Sequence, residues 1–206
     1  MESVSRAAPG RPRLRPGRAE VEPRQEILEA AASLFAEHGY AATSTRQIAD
    51  RVGVKQASLY YHFKDKEQIL LELLTATVKP TLDRAAEHLA REDPRTALHD
   101  LASADVETLL AEPHNIGTMY LSPEISGTVF APFRAMREEL TRIYGSLAQR
   151  VNPELDAHFA GSCCIQLVEL VIRFRQDGED LGDLPERIAA ACLRLVEPQD
   201  PATRAR

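Results

Sequence analysis

Tryptophan is absent from the 206 residues, and phenylalanine and tyrosine together number eleven. Lysine is scarcer still, with four copies among twenty-five cations. The three cysteines, Cys163, Cys164 and Cys192, are too few for a disulfide framework. Adjacent Cys163 and Cys164 project from different sides of a helix and so make no metal-ligand pair; buried small thiols are the reading, against redox sensing. Valine, isoleucine and threonine form no alternating runs, which removes the usual signature of strands. No uninterrupted apolar run approaches the ~20 residues of a membrane helix. The N-terminal arginines lead into no apolar stretch, so no secretory signal is read. A cytoplasmic protein without membrane contact is expected. Alanine, leucine, glutamate and arginine are abundant and favour helix, and 44% hydrophobic content suits a packed core. The expected fold is all-α.

The net charge of −6 is unevenly spread. Residues 1–66 carry eleven Lys/Arg against eight Asp/Glu, a balance of +3, whereas residues 67–206 carry fourteen against twenty-three, a balance of −9. A basic segment joined to an acidic body suits a first part that meets a polyanion. Within it, 53–66 reads GVKQASLYYHFKDK and holds three of the four lysines and three of the eleven rings, Tyr60, Tyr61 and Phe63.

Residues 1–22 are rich in Arg, Pro and Gly without periodicity and are expected to form a disordered basic arm. Arg6, Arg11, Arg13, Arg15 and Arg18 suit either a phosphate track or minor groove, or a solvated tail. A helix is expected from Pro23, since proline suits a first turn, with Ile27, Ala31, Leu34 and Phe35 as its apolar stripe. Gly39 is expected to end it in the left-handed conformation. Ser44 and Gln47 have capping-box spacing; the short helix they open turns Ile48, Ala49 and Val52 inward and stops at Gly53. A third helix is expected over 55–61. Asp65 and Gln68 repeat the box and open a helix to about 78, which Lys79-Pro80 bends or breaks. Further helices are expected over 81–91, 96–111, 131–150, 153–176 and 185–197, with a loop over 113–128 and a flexible tail over 198–206.

Two short helices hinged at Gly53, with small Ala49 at their crossing and Leu59 as anchor, make a helix-turn-helix. From Arg24 to Leu71 the chain resembles the DNA-binding domain of the TetR family of bacterial transcription regulators. The residues that carry the resemblance are ILEAAASLFAEHGYAATSTRQIADRVGVKQASLYYHFKDKEQIL, 27–70, above all LYYHFKDKEQIL at their end. The resemblance implies a DNA-binding domain over 23–67 and a helical effector-binding and dimerisation domain over 68–197.

It also implies which residues meet DNA. In such a motif the second helix lies in the major groove with its first residues at the base edges. Here these are Lys55, Gln56, Ala57 and Ser58. Gln56 suits bidentate pairing with adenine, Lys55 donation to guanine and Ala57 contact with a thymine methyl. Tyr60 and His62 match positions near the phosphate backbone, Lys66 matches a phosphate-contacting lysine, and Thr45 and Arg46 match positions on the preceding helix that touch backbone and sometimes a base. Tyr61 suits either core or phosphate. Leu59 and Phe63 are scaffold, and Lys64 is a solvated charge. Lys55 stands where the family often has a small hydroxyl cap, so the helix start must be satisfied otherwise.

One helix-turn-helix reads only ~4–6 base pairs, so such domains act as dimers on palindromes. The resemblance implies that the last two helices pair with their twofold mates. Phe159, Cys163, Leu167, Leu170 and Phe174, then Ile188, Cys192 and Leu195, recur at helical spacing and suit that interface, an intramolecular core stripe, or both on opposite faces. The family's middle helices enclose a small-molecule pocket. Thr108, His114, Met119, Tyr120, Phe130, Phe133 and Gln166 are candidate lining residues, and their mix points to an apolar or aromatic effector. The expected function is thus a homodimeric repressor released from a palindromic operator on double-stranded DNA by a small molecule. Control by a protein partner or by abundance is the alternative, favoured if the middle helices hold no pocket. No nucleophile–base pair, phosphate loop or metal-spaced cluster supports an enzyme, and no cofactor or metal is expected. Glu169 and Arg173 are expected to pair along one helix.

Overall fold

The computed structural model describes residues 22–198. The expected arm over 1–22 and tail over 198–206 therefore fall outside the described residues, save for Glu22 and Pro198. The fold is all-α: the described residues form nine α-helices and no strand. They are α1 (Pro23–His38), α2 (Thr45–Val52), α3 (Gln56–His62), α4 (Lys66–Ala76), α5 (Lys79–Leu89), α6 (Pro94–Ala111), α7 (Ala131–Val151), α8 (Ala157–Asp177) and α9 (Leu184–Val196).

In α1, Pro23 occupies the first turn, and Ile27, Ala31, Leu34 and Phe35 are buried along one stripe. Gly39 donates to the carbonyl of Phe35 at 3.0 Å but takes φ 82° and ψ 158°. The expected left-handed helical stop is thus replaced by an extended exit that carries Tyr40 back onto Phe35, with ring centroids 5.2 Å apart. Asp65 caps α4 by accepting from the Gln68 amide at 2.9 Å, without the return bond of a full box. That helix ends at Ala76, before the expected 78, and Thr77 and Val78 form the joint to α5, where Pro80 lies in the first turn. Asp93 caps α6, accepting at 3.1 Å from the amides of both Arg95 and Thr96.

The stretch expected as a loop over 113–128 instead holds 3₁₀ turns at Ile116–Leu121, Pro123–Ser126 and Thr128–Phe130. They bury Ile116, Tyr120, Ile125 and Phe130 and pack against α1, α4, α7 and α8. Their mixed Pro, Gly and Ser content hides this, because single turns have no period to read.

The body is built on two close pairings, α7 with α8 and α6 with α9. At the first, a Cβ on Gly145 would lie 2.2 Å from the Ala157 carbonyl oxygen, and one on Gly161 would lie 2.3 Å from that of Thr141. Only glycine permits backbones to approach so closely. By length and mean hydropathy α8 is apolar enough to cross a membrane, although no uninterrupted run is. It buries Ala160, Cys164, Ile165, Val168 and Val171 inside the protein.

Candidate nucleic-acid interface

The α2–α3 unit is set by local chemistry. Ser44 Oγ accepts from the Gln47 amide at 3.2 Å, and Gln47 Oε1 accepts from the Ser44 amide at 2.7 Å, a complete capping box. Gly53 adopts φ 83° and ψ 27°, the left-handed conformation that turns the chain, and donates to the Ala49 carbonyl at 2.9 Å. Ile48, Ala49 and Leu59 are buried, and Phe63 closes α3 inside the core. Val52 is only half-buried. Arg24 lies 4.6 Å from the centroid of the Phe63 ring and pairs with Glu72 on α4.

Leu59 is the one buried residue of α3, so the rest of this short helix faces outward or sideways. Lys55, Gln56, Ala57 and Ser58 are exposed, Tyr60 is 49% and Tyr61 87% exposed, and His62 is half-buried. Of the two readings of Tyr61, core is thereby removed. Its ring meets His62 edge-on at 5.2 Å. Lys55 occupies the cap position of α3 and supplies no side-chain hydrogen bond to it. A three-residue cluster joins the two helices: Gln56 Nε2 donates to Thr45 Oγ1 at 2.9 Å, and the hydroxyls of Thr45 and Tyr60 lie 3.1 Å apart. Arg46 lies alongside, with Asp50 at 4.0 Å; both are widely exposed, so this pair holds Arg46 weakly.

Lys66 departs from expectation. Its ammonium donates to the carbonyls of Tyr40 and Thr43, each at 2.7 Å, and lies 4.0 Å from the Tyr40 ring centroid. Burial pushes its pKa below the ordinary lysine value, with Glu124 opposing. The residue expected at a phosphate thus clamps the segment between α1 and α2.

In the body, sequence reasoning missed a buried polar cluster. Asp105 on α6 accepts from Thr81 at 3.0 Å and from Tyr144 at 3.1 Å. Burial pushes its pKa up to about 7, against the pull of those hydrogen bonds. Arg137 pairs with Glu169 at 2.6 Å and lies 4.4 Å from the centroid of the Tyr120 ring. Its Nη1 is buried with no partner among the described residues. Glu169 therefore pairs across helices, and Arg173 with Asp177 at 3.3 Å, in place of the Glu169–Arg173 pair expected. Tyr120 donates to Thr77, at the α4–α5 joint, at 2.5 Å. A cavity of about 20 Å³ lies among Thr77, Asp105, Tyr120, Arg137 and Glu169, room for one water.

Of the seven candidate lining residues, Tyr120 reaches this cavity. Phe130 and Phe133 are packed in the core, Thr108 is buried and bonds the Ala104 carbonyl at 2.8 Å, and Met119 is half-buried against the core. His114 is half-buried, and Gln166 lies on the exposed side of α8, bonded to Glu169 at 3.0 Å. They do not line one common cavity.

The candidate interface residues divide. Phe159 (70% exposed), Leu170 and Leu195 face outward, with Cys163, Leu167 and Phe174 half-buried beside them. Ile188 and Cys192 are buried and belong to the body's own core, where Cys192 Sγ lies 3.9 Å from the Cys164 carbonyl. Spacing puts Ile188, Cys192 and Leu195 on one side of α9 and does not tell which of them the body covers. A surface groove of about 410 Å³ runs between the outward sides of α8 and α9, lined by Leu167, Leu170, Phe174 and Ala191 among others.

The profile of the bacterial regulatory proteins of the tetR family matches residues 27–73. Over 98 residues the chain is 37% identical to the transcriptional repressor KstR2 of Rhodococcus jostii, which covers 47% of this chain and 48% of that protein. The chain thus matches about half the length of that curated relative. Over its whole body it is similar to the crystal structure of Mycobacterium smegmatis AmtR, at 42% identity and a TM-score of 0.80, covering 90% of each chain. The TetR family regulator PfmR of Thermus thermophilus is 30% identical, with a TM-score of 0.67, covering 84% of this chain and 99% of that one.

Proposed function

The chain belongs to the TetR family of bacterial transcriptional regulators, and from that premise we propose that it is a cytoplasmic transcriptional repressor that binds a palindromic DNA operator as a homodimer. The observation that carries this reading is the outward face of α3. Six of its seven side chains stay out of the buried core, and the exposed ones include hydrogen-bonding and flat groups suited to base edges and phosphates. The reader is 23–67 and the effector and dimerisation body 68–197. The apolar outer faces of α8 and α9, with Phe159, Leu167, Leu170, Phe174 and Leu195, are the surface where two copies meet.

In the reading with a small-molecule effector, release acts through the body, whose buried cluster reaches Thr77 at the C-cap of α4. A ligand shifts the reading heads only if it prefers one of their arrangements. The cavity of about 20 Å³ favours the second reading, control by a protein partner or by abundance, because an apolar effector does not fit without opening the helices.

Replacing Gln56 by Ala tests α3 as the reader. It is expected to cost about 1–3 kcal/mol on the cognate site and to relax preference at one base step. Titration of site variants measures both, and an unchanged preference counts against α3.

A further inference from the structure

Cations on the reading unit are few, and half of them are engaged by the protein itself. Over 23–76, the span of α1–α4, six Lys/Arg stand against seven Asp/Glu, a balance of −1. Arg24 pairs with Glu72, and Arg51 pairs with Glu37 at 3.2 Å. Lys66 donates to the carbonyls of Tyr40 and Thr43. That leaves Lys55, Lys64 and Arg46 exposed, the last with Asp50 beside it. From residue 23 to 206 the balance is −8, twenty Lys/Arg against twenty-eight Asp/Glu. Such a chain repels a polyanion overall, whereas affinity for DNA at physiological salt draws on cations that neutralise phosphates and release counterions.

The charge that the reading unit lacks stands ahead of it in sequence. Residues 3–19 hold five arginines, Arg6, Arg11, Arg13, Arg15 and Arg18, and no Asp or Glu. The guanidinium of Arg24 lies 4.6 Å from the centroid of the Phe63 ring, which closes α3, so the chain enters the fold beside the end of the reading helix. A chain covers at most ~3.6 Å per residue, which keeps Arg18 within ~22 Å of Arg24 and lets Arg6 reach to ~65 Å. Duplex DNA presents a phosphate about every 1.7 Å of its axis along such a span, and the planar guanidinium fork matches phosphate oxygens. We infer that the arginines of residues 6–18 hold phosphates of the bound DNA and supply most of the sequence-independent part of its affinity. This rests on the proposal that the α1–α3 unit reads DNA.

The test uses the full chain with R6Q, R11Q, R13Q, R15Q and R18Q combined, and a second variant with lysine at the same five positions. Selection from random duplexes by the wild type supplies a preferred sequence, and a shuffled duplex of equal length is the comparison. Both are titrated across a range of salt concentrations. The glutamine variant is expected to show a slope of log K against log salt shallower by roughly 2–4.5 per chain, at ~0.9 for each phosphate no longer neutralised. Its affinity for the preferred and the shuffled duplex is expected to fall by the same factor, and the lysine variant to keep the wild-type slope. An unchanged slope in the glutamine variant overturns the inference and leaves the DNA-reading proposal standing. A loss confined to the preferred duplex also overturns it, since the arginines would then read bases. If the wild type enriches no sequence but the slope still falls, the inference stands and operator reading fails. If the wild type retains no duplex, both fall.

Discussion

At Lys66 the ammonium has two carbonyl partners, Tyr40 and Thr43, 26 and 23 residues away in sequence. That separation is why the clamp was not legible: a lysine at the start of a helix after aromatic residues looks free for phosphate until the fold folds α1 against α4. Lys66→Met keeps the apolar stem and removes both bonds. It is expected to lower unfolding stability by about 1.5–3 kcal/mol, the range for hydrogen bonds to charged groups, measured by urea titration. The salt slope of DNA binding should stay unchanged, whereas a phosphate contact would reduce it by about one. Asp105 makes a second residue-level case. From sequence it is one more acidic residue on a helix; its burial beside Thr81 and Tyr144, with Arg137 and Glu169 nearby, arises when α6, α7 and α8 pack. Its pKa is raised to about 7 from 3.8, so the folded state binds the proton more tightly than the unfolded chain. Its contribution is therefore full below the lower value and is lost as pH rises through about 7. Asp105→Asn is expected to flatten that decline and to make the protein relatively more stable at pH 8 than at pH 4, read from unfolding midpoints across pH.

Elements with local signals were legible. The Ser44–Gln47 box, the Gly53 turn and the Pro23 start all depend on residues within a few positions, and α1, α2 and α3 formed where those signals put them, to within a residue. The 3₁₀ segment between α6 and α7 was not legible, and neither was the close approach of α7 and α8, because the glycines that allow it, Gly145 and Gly161, are sixteen positions apart. Each faces backbone of the other helix or its entry, so the obstruction cannot be relieved by rotating a side chain. Gly161→Ala is expected to destabilise by about 3 kcal/mol, at the upper end of overpacking costs. A urea midpoint near that of the wild type would mean that the two helices separate at little cost.

Across the whole molecule, the acidic excess read from sequence falls on the helical body, whereas α1–α3 is charge-balanced, with four Lys/Arg against four Asp/Glu over residues 23–62. The outward residues of α3 were legible because the resemblance carried them, whereas which part of α9 is covered was not: Ile188 and Leu195, seven positions apart, lie on one side of the helix, yet Ile188 is buried and Leu195 is exposed. The apolar outer faces of α8 and α9 and the exposed face of α3 bear jointly on one claim, that two copies of this chain read a palindrome. Selection of genomic fragments by the purified protein at about 150 mM salt, where non-specific phosphate binding is weakened, followed by sequencing, tests it most directly. The account predicts an enriched palindrome with half-sites about one helical turn apart. Uniform retention of all fragments, falling with salt and favouring no sequence, would contradict it.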